Sequence, residues 1–252
     1  MHRLDPHLIC RKTRIRSNNL MSKILASLFL TTFLSSCGIN DEPHSLRETA
    51  QCQDSEARSI NKSVSRPDLV RKIDNSSLLG SLKDGGYVIY FRHATTEKDY
   101  ADQADPLMNL DNCNSQRKLS LQGQRESYEI GMAFASNAIP VGHIIVSEYC
   151  RSWKTANLAF GEWTQKDSRL NFLPYEDYTK DHIALMKKNV TPLLTRPPLP
   201  GTNTVIIGHD DIFESATGIY PEPQGVAYVL KPDGKMGFNI IANVLPYEWA
   251  AL

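Results

Sequence analysis

The 252-residue chain has no excess of charge of either sign, since 28 Lys and Arg stand against 28 Asp and Glu. A nucleic-acid binder needs a basic surplus or a dense basic stripe to displace counterions, and no such stripe follows residue 37. Apolar runs of the roughly 20 residues that keep a permanent helix in a bilayer are missing too. The sequence lacks G-x-S-x-G and G-x-x-x-x-G-K-[ST], which counts against a serine hydrolase of the α/β type and against a P-loop nucleotidase. It also lacks His-Glu-x-x-His and any paired-cysteine spacing, so zinc has no recognisable ligand set. No internal repeat is visible.

The start of the chain has the order of a targeting segment. Met21 and Lys23 precede an apolar run over residues 24–34, and Leu34-Ser35-Ser36-Cys37 closes it. That run is too short to span a membrane and ends on small residues, as a cleaved signal does. The Leu-Ser-Ser-Cys box resembles a bacterial lipobox, which implies that Cys37 is acylated and becomes the first mature residue. Residues 1–36 are therefore expected to be removed. Arg11, Lys12, Arg14 and Arg16 either extend the positive n-region or precede a true start at Met21. Residues 37–66 are polar and poor in aromatics, with no sustained period of two or 3.6, and read as a flexible tether. The catalytic domain is expected over residues 67–252.

In that domain apolar runs alternate with helical patterns, the signature of an α/β fold with a mainly parallel sheet covered by helices on both faces. Residues 87–91 (YVIYF), 143–146 (HIIV) and 204–207 (TVII) are β-branched-rich and lack polar alternation, as strands buried on both faces do. A helix is expected over residues 120–137 with Ser120 as N-cap and with Leu121, Tyr128, Met132 and Ala135 on its core face. A second should start at Arg151 or Ser152 and reach Phe160. A third should start near Asp181, with Ile183, Met186 and Val190 facing inward and Pro192 opening a new turn. A hairpin is expected to close around Pro232-Asp233-Gly234-Lys235.

Each of the three buried runs is followed at once by cationic or titratable residues: Arg92 and His93, then Arg151, then His209. Ligands of open parallel sheets bind outside the carboxyl ends of the strands, so these side chains should converge. Two guanidinium groups and two imidazoles in one pocket suit a dianionic phosphomonoester, because arginine's planar fork binds phosphate oxygens in pairs. The same positive surroundings lower an imidazole's pKa and leave it a lone pair for phosphorus.

Arg92-His93-Ala94 after a first buried strand resembles the Arg-His-Gly signature of the histidine phosphatase superfamily. Arg117-Lys118-Leu119-Ser120-Leu121-Gln122-Gly123 is similar to its R-x-L-S-x-x-G helix entry. The stretch from Ser147 through Arg151 to Thr155-Ala156 is similar to its S-x-x-x-R-x-x-x-T-A segment, and Gly208-His209 follows the late strand. The likeness covers roughly residues 78–230. It implies a three-layer αβα sandwich of the phosphoglycerate mutase-like kind, with His93 as the nucleophile that becomes phosphohistidine. Arg92, Arg151 and His209 would hold the phosphoryl oxygens, with no metal and no cofactor. His209-Asp210 resembles the His-Asp pair of the phytase and acid-phosphatase branch, which implies Asp210 as the proton donor. The other motifs are similar to the phosphoglycerate-mutase-like branch, whose acid is a mid-chain glutamate, so Glu176 and then Glu214 are the alternatives; Asp211 reads as a helix-capping residue.

Two departures stand out: Ala94 where glycine is commoner, tolerable if its φ is negative, and Glu148 near the anion pocket, expected to point outward. Long insertions are absent, so a small specificity cap and a shallow pocket are expected, with Tyr100, Trp153 and Tyr178 as candidates for lining it. Cys113 and Cys150 both lie beside segments placed at the site, and an extracytoplasmic chain can oxidise them, so they are expected to pair and leave Cys52 free on the tether. The expected partners are a phosphorylated small molecule and a membrane held through the lipid anchor. Nucleic acid is not expected, and the chain is taken as a monomer. A mutase of the same fold and a non-catalytic lipoprotein that binds phosphoryl ligands are the alternative readings. Hydrolysis is preferred because mutases shield the phosphohistidine with closing segments that are scarce here.

Overall fold

The computed structural model describes residues 73–98 and 100–252; the signal segment, Cys37, Cys52 and the tether over residues 37–66 lie outside the described residues. Six strands form one sheet in the order β3-β2-β4-β1-β5-β6. They are β1 (Val88–Arg92), β2 (Val141–Val146), β3 (Gln165–Lys166), β4 (Asn203–Gly208), β5 (Ala227–Pro232) and β6 (Phe238–Val244). The first four in spatial order run parallel, and β5 and β6 add an antiparallel edge. The hairpin turns at Asp233, whose Oδ1 accepts from the backbone N–H groups of Lys235 and Gly237.

The two-residue period of the strands divides the interior into two cores. Ile89, Phe91, Ile144, Val146, Val205 and Ile207 face one way. They pack against α1 (Asn75–Asp84), α2 (Leu121–Ser136), α3 (Cys150–Phe160) and Trp249. Val88, Tyr90, Ile145 and Ile206 face the other way, against α4 (Lys180–Leu194) and α5 (Asp210–Thr217). The result is a three-layer αβα sandwich. All residues of β1 and β4 are buried, as expected of strands covered on both faces.

Three expectations are overturned. Helix α2 has its predicted limits and its Ser120 cap, which accepts from Gly123 N at 3.0 Å, but it buries the opposite face. Leu121, Tyr128 and Met132 are 74%, 59% and 68% exposed, and Ala135 is exposed as well. The inward side carries Gly123, Ser127, Ile130, Ala133 and Phe134. Close approach decides this. A Cβ on Gly131 would lie 1.9 Å from Ala159 O in α3, and one on Gly123 would lie 2.0 Å from Thr95 O. The small residues let backbones touch, and a face ranked by side-chain hydrophobicity hides that.

Pro192 opens no new turn; it sits inside α4, which runs on to Leu194. Proline in a helix interior forfeits one backbone hydrogen bond and strains the preceding turn, at about 3 kcal/mol. Burial of Leu193 and Leu194 in the second core offsets that cost and keeps the last turn helical. Ile183, expected inside, is 43% exposed, whereas Met186 and Val190 are buried.

The corrected helix face can be checked by denaturant unfolding. Gly131→Ala should destabilise by about 1–3 kcal/mol through overpacking against α3, while Met132→Ala should stay within about 0.5 kcal/mol. The reverse order would restore the hydrophobic face as the buried one.

Candidate active site

The parallel register brings three strand ends together. Arg92 of β1 lies opposite Gly208 of β4, and His93 N donates to Gly208 O at 3.0 Å. On the other side of β4, Ser147 N donates to Ile207 O at 3.0 Å. Gly208 has a specific reason to be glycine: a Cβ there would lie 2.3 Å from Tyr90 Oη. That hydroxyl donates to His209 O at 2.7 Å and accepts from His209 N at 2.9 Å, fixing the backbone on which the second histidine is carried.

Helix α3 is joined to the first strand end through Thr155, the threonine of the Thr-Ala pair. Its hydroxyl donates to Arg151 O at 2.8 Å and accepts from Ala94 N at 3.1 Å. Ala94 is fully buried and is not among the residues of positive φ, so the methyl group is accommodated.

His93 and His209 are both fully buried, with ring centroids 5.4 Å apart. His93 Nδ1 lies 2.9 Å from Ala94 O, an acceptor, so Nδ1 carries the proton and Nε2 keeps the lone pair. Arg117 Nη2 approaches that Nε2 at 3.4 Å. Burial, then the charges of Arg151, Arg117 and Arg92, hold the His93 pKa well below its ordinary value. Burial and Arg151, ahead of His93, Arg117 and Arg92, do the same to His209. His209 Nε2 lies 2.9 Å from Ser147 Oγ. That hydroxyl donates to Asn171 Oδ1, so it accepts from the ring and leaves His209 Nδ1 without a protein partner. Phe172 and Tyr149 flank the imidazole at 4.3 and 5.0 Å between centroids.

The arginines differ from a pair of open forks. Arg92 is engaged on both terminal nitrogens, Nη2 with Asp210 Oδ2 at 2.6 Å and Nη1 with Pro221 O at 3.0 Å. Only its Nε has no partner. Arg151 gives Nη1 to Asp102 Oδ2 at 2.8 Å, while its Nε and Nη2 are buried without a protein acceptor. Arg151 Nε and Nη2 form a buried donor pair of the kind that an oxyanion satisfies, and His209 Nδ1 beside them is a lone pair that donates only when the ring takes up a proton.

Two residues join the site that the sequence reading gave no role. Arg117 lay inside the helix-entry motif, so the signal was present, yet only the fold shows its guanidinium meeting His93. Asp102 had no signal at all. It is buried on a 3-10 turn (Asp102–Ala104), and its Oδ2 also accepts from Arg117 N at 3.0 Å. The segment over residues 100–117 therefore packs over the cradle, with Asp102 on Arg151 and Arg117 at His93. Gln116 Oε1 accepts from Cys150 N at 2.8 Å, and Cys113 and Cys150 form a disulfide that joins this segment to the start of α3. Closing a loop of 37 residues of separation stabilises the fold by about 4 kcal/mol on a chain-entropy basis.

Asp210 Oδ2 is shared by two donors. Its carboxylate accepts from Arg92 and, at 2.8 Å, from Tyr220 Oη, and so orients Arg92. Asp211, the second residue of α5, is pushed up to about 6 by burial and by the charges of Asp210 and Glu214. Glu214 is exposed on the same helix and raised by burial and Asp210. Glu176 is exposed and bonded to none of the cradle residues described. Glu148 Oε2 accepts from Asn171 Nδ2 at 2.6 Å, so its charge is taken up by that amide. Tyr100 and Trp153 line clefts beside the cradle, and Tyr178 donates to Leu173 O.

No family model and no curated protein matches the sequence. Among solved structures, it is similar to the protein histidine phosphatase SixA complexed with tungstate, at 13% identity and TM-score 0.46, over 64% of this chain and 98% of that one. It is similar to a phosphoserine phosphatase mutant from Entamoeba histolytica in complex with phosphoserine, at 13% identity and TM-score 0.45, over 62% and 95% of the two chains. It is also similar to YhfR from Bacillus stearothermophilus, at 16% identity and TM-score 0.40, over 62% and 95%. TM-scores below 0.5 add nothing to the sheet order and layering described above.

The two buried neutral imidazoles predict a sign for the pH dependence of stability. Unfolded histidine takes up a proton below about pH 6.5, whereas the folded site holds both rings neutral to well below that value. The unfolded chain then binds more protons, so stability should fall as the pH drops below about 6.5, by at most about 1.4 kcal/mol per pH unit for each histidine. Asp211 opposes with one proton, since its raised pKa makes the folded state the better proton binder between its ordinary value and about 6. Urea midpoints at about pH 7 and about pH 5 should show a net loss, smaller in His93→Gln; equal losses in both proteins would mean that His93 is not held neutral.

Proposed function

We propose that the protein is a phosphomonoester hydrolase that passes the phosphoryl group through His93. The observation that carries this reading is the His93 ring itself, buried and proton-bearing at Nδ1 through Ala94 O, with its Nε2 lone pair among three arginines. A phosphomonoester would bind with its oxygens on Arg151 Nε and Nη2, where no protein acceptor competes, and on His209 Nδ1 once that ring has taken up a proton. Nε2 attacks phosphorus, the ester P–O bond breaks, and the alcohol leaves with a proton from a carboxyl group. The Nδ1–H to Ala94 O bond strengthens as the ring gains charge. Water then attacks the phosphohistidine, gives its proton to the same carboxylate, and frees phosphate and neutral His93. Positioning and electrostatics supply this chemistry, so neither metal nor organic cofactor is required.

We assign the leaving-group proton to Asp211. Asp210 already holds Arg92 and Tyr220, whereas Asp211, two residues after His209 in the first turn of α5 and near enough to Arg92 to feel its charge, is pushed up to about 6 and can serve as acid and then base. The mutase and the non-catalytic binding protein have no specific observation in their favour.

A panel of phosphomonoesters assayed without added metal tests the assignments together. His93→Ala should lose essentially all turnover, and Arg151→Ala about a hundredfold to a thousandfold. Asp211→Asn should slow alkyl phosphates about a hundredfold while sparing nitrophenyl phosphate, whose leaving group needs no proton. Asp210→Asn should weaken both ester classes alike. Full activity in His93→Ala would end the phosphohistidine reading, and loss of wild-type activity in EDTA would point to a metal.

The lipid anchor is proposed on the sequence alone. Acylation at Cys37 would tether the enzyme outside the cytoplasm through residues 37–66, and Gly38 offers no inner-membrane retention aspartate. In a cell with two membranes the enzyme would then sit on the outer membrane, facing the periplasm. Expression in a bacterial host should give a membrane-bound product with a diacylglyceryl mass increment on residue 37, and Cys37→Ala should abolish both; a soluble, unmodified wild-type product would remove the anchor.

A further inference from the structure

Two clefts open beside the cradle and share a wall. One, of about 420 Å³, is lined by Glu97, Lys118, Leu119, Gln124, Trp153 and Lys154, among others. The second, of about 210 Å³, is lined by Glu97, Lys98, Tyr100, Gln116, Arg117 and Lys118. Glu97 and Lys118 belong to both, so the two read as one groove. Its inner end is Arg117, whose Nη2 is the group at His93 Nε2.

The groove is cationic in a protein of zero net charge. Among the described residues, Lys98, Lys118, Lys154 and Arg117 line it with the carboxylate of Glu97. Lys98 and Lys118 are exposed, and Lys154 Nζ stands 5.5 Å from the centre of the Trp153 ring. A second lysine, Lys166, lies 4.9 Å from the same ring. Such a concentration of ammonium groups raises the local anion concentration, and its effect is screened by salt. The combined volume is that of a small-molecule site, not of a flat docking face. The phosphoryl group that reacts is already provided for by Arg151 and His209, so these lysines serve some other negative charge.

We propose that this groove is a subsite for a second anionic group of the substrate, so that the preferred esters are small phosphomonoesters carrying another phosphate or carboxylate away from the scissile bond. The proposal rests on the hydrolase reading for the place of the reacting phosphoryl group. Lys118, shared by both clefts, and Lys154, against the Trp153 wall, hold the distal charge; Arg117 spans the two sites. The lysines act as hydrated point charges, so the subsite selects for charge and tolerates variety in the shape that bears it.

Hexyl phosphate and hexanediol bisphosphate differ only in the distal charge and make the test. Wild type should prefer the bisphosphate in kcat/KM by about tenfold or more at low ionic strength, and the preference should shrink with added salt. Lys118→Gln combined with Lys154→Gln should bring the ratio of the two esters to within about twofold of unity. No preference in wild type, or a preference that survives in the double variant, would overturn the proposal. Calorimetric binding of the same two compounds to His93→Ala separates the two readings. Tighter bisphosphate binding there without turnover of either ester by wild type would keep the groove and remove the hydrolase, and equal binding of both would remove the groove.

Discussion

The structure depends on keeping two imidazoles neutral in the interior next to three guanidinium groups. A low-dielectric setting makes an added positive charge on either ring costly, and Arg151 is the largest neighbouring charge acting on both. Neutrality then follows from placement alone, without a dedicated base. Placement in turn follows from the sheet. Adjacent parallel strands β1 and β4 end level with each other, so the residues that follow them, His93 and His209, face one space, and β2 delivers Ser147 and the entry to α3 on the far side of β4.

Buried arginines would be unstable without counter-charges, and among the described residues Asp210 and Asp102 supply them with different consequences. Asp210 binds Arg92 from the first turn of α5, where the helix N-terminus favours an anion. That pair is local and leaves Arg92 little to offer a ligand. Asp102 binds Arg151 from the covering segment, and in doing so links the closure of residues 100–117 to the residue with the most unused donors. The disulfide at Cys113 and Cys150 acts on the same joint, because Cys150 adjoins Arg151. Closure of the cover and orientation of Arg151 are thus one event with two fastenings.

How much of this was legible in the sequence follows physical lines. Strands β1, β2 and β4 were readable because burial on both faces removes polar residues, and the residues after them were readable because ligand crevices lie at strand ends. The buried face of α2 was not, since glycines at 123 and 131 work through backbone contact and carry no hydrophobic signal. The passage of α4 through Pro192 depends on the burial of Leu193 and Leu194, a tertiary term that outweighs a local rule. Arg117 was visible as part of a motif but not as a neighbour of His93. Asp102 stands in a stretch with no period and could be placed only by the fold. Sequence order puts Asp210 beside His209 and says nothing of Arg92, at the end of the neighbouring strand, binding its carboxylate.

The unpartnered Nδ1 of His209 gives the site a property that neither ring would have alone. With Nε2 donating to Ser147, a neutral His209 has only a lone pair to turn toward a ligand oxygen, which repels an anion. To donate from Nδ1 the ring must take up a proton, and the dianion itself supplies the incentive by offsetting the arginine charges that hold the pKa down. His93, with Nδ1 bound to Ala94 O and Nε2 beside Arg117, has no equivalent gain from a second proton. Two rings that share the same burial and the same arginines thus differ by which nitrogen each gives to the protein, Nδ1 in one and Nε2 in the other, and in the proposed reaction that difference makes His93 the nucleophile and His209 a holder of phosphoryl oxygen.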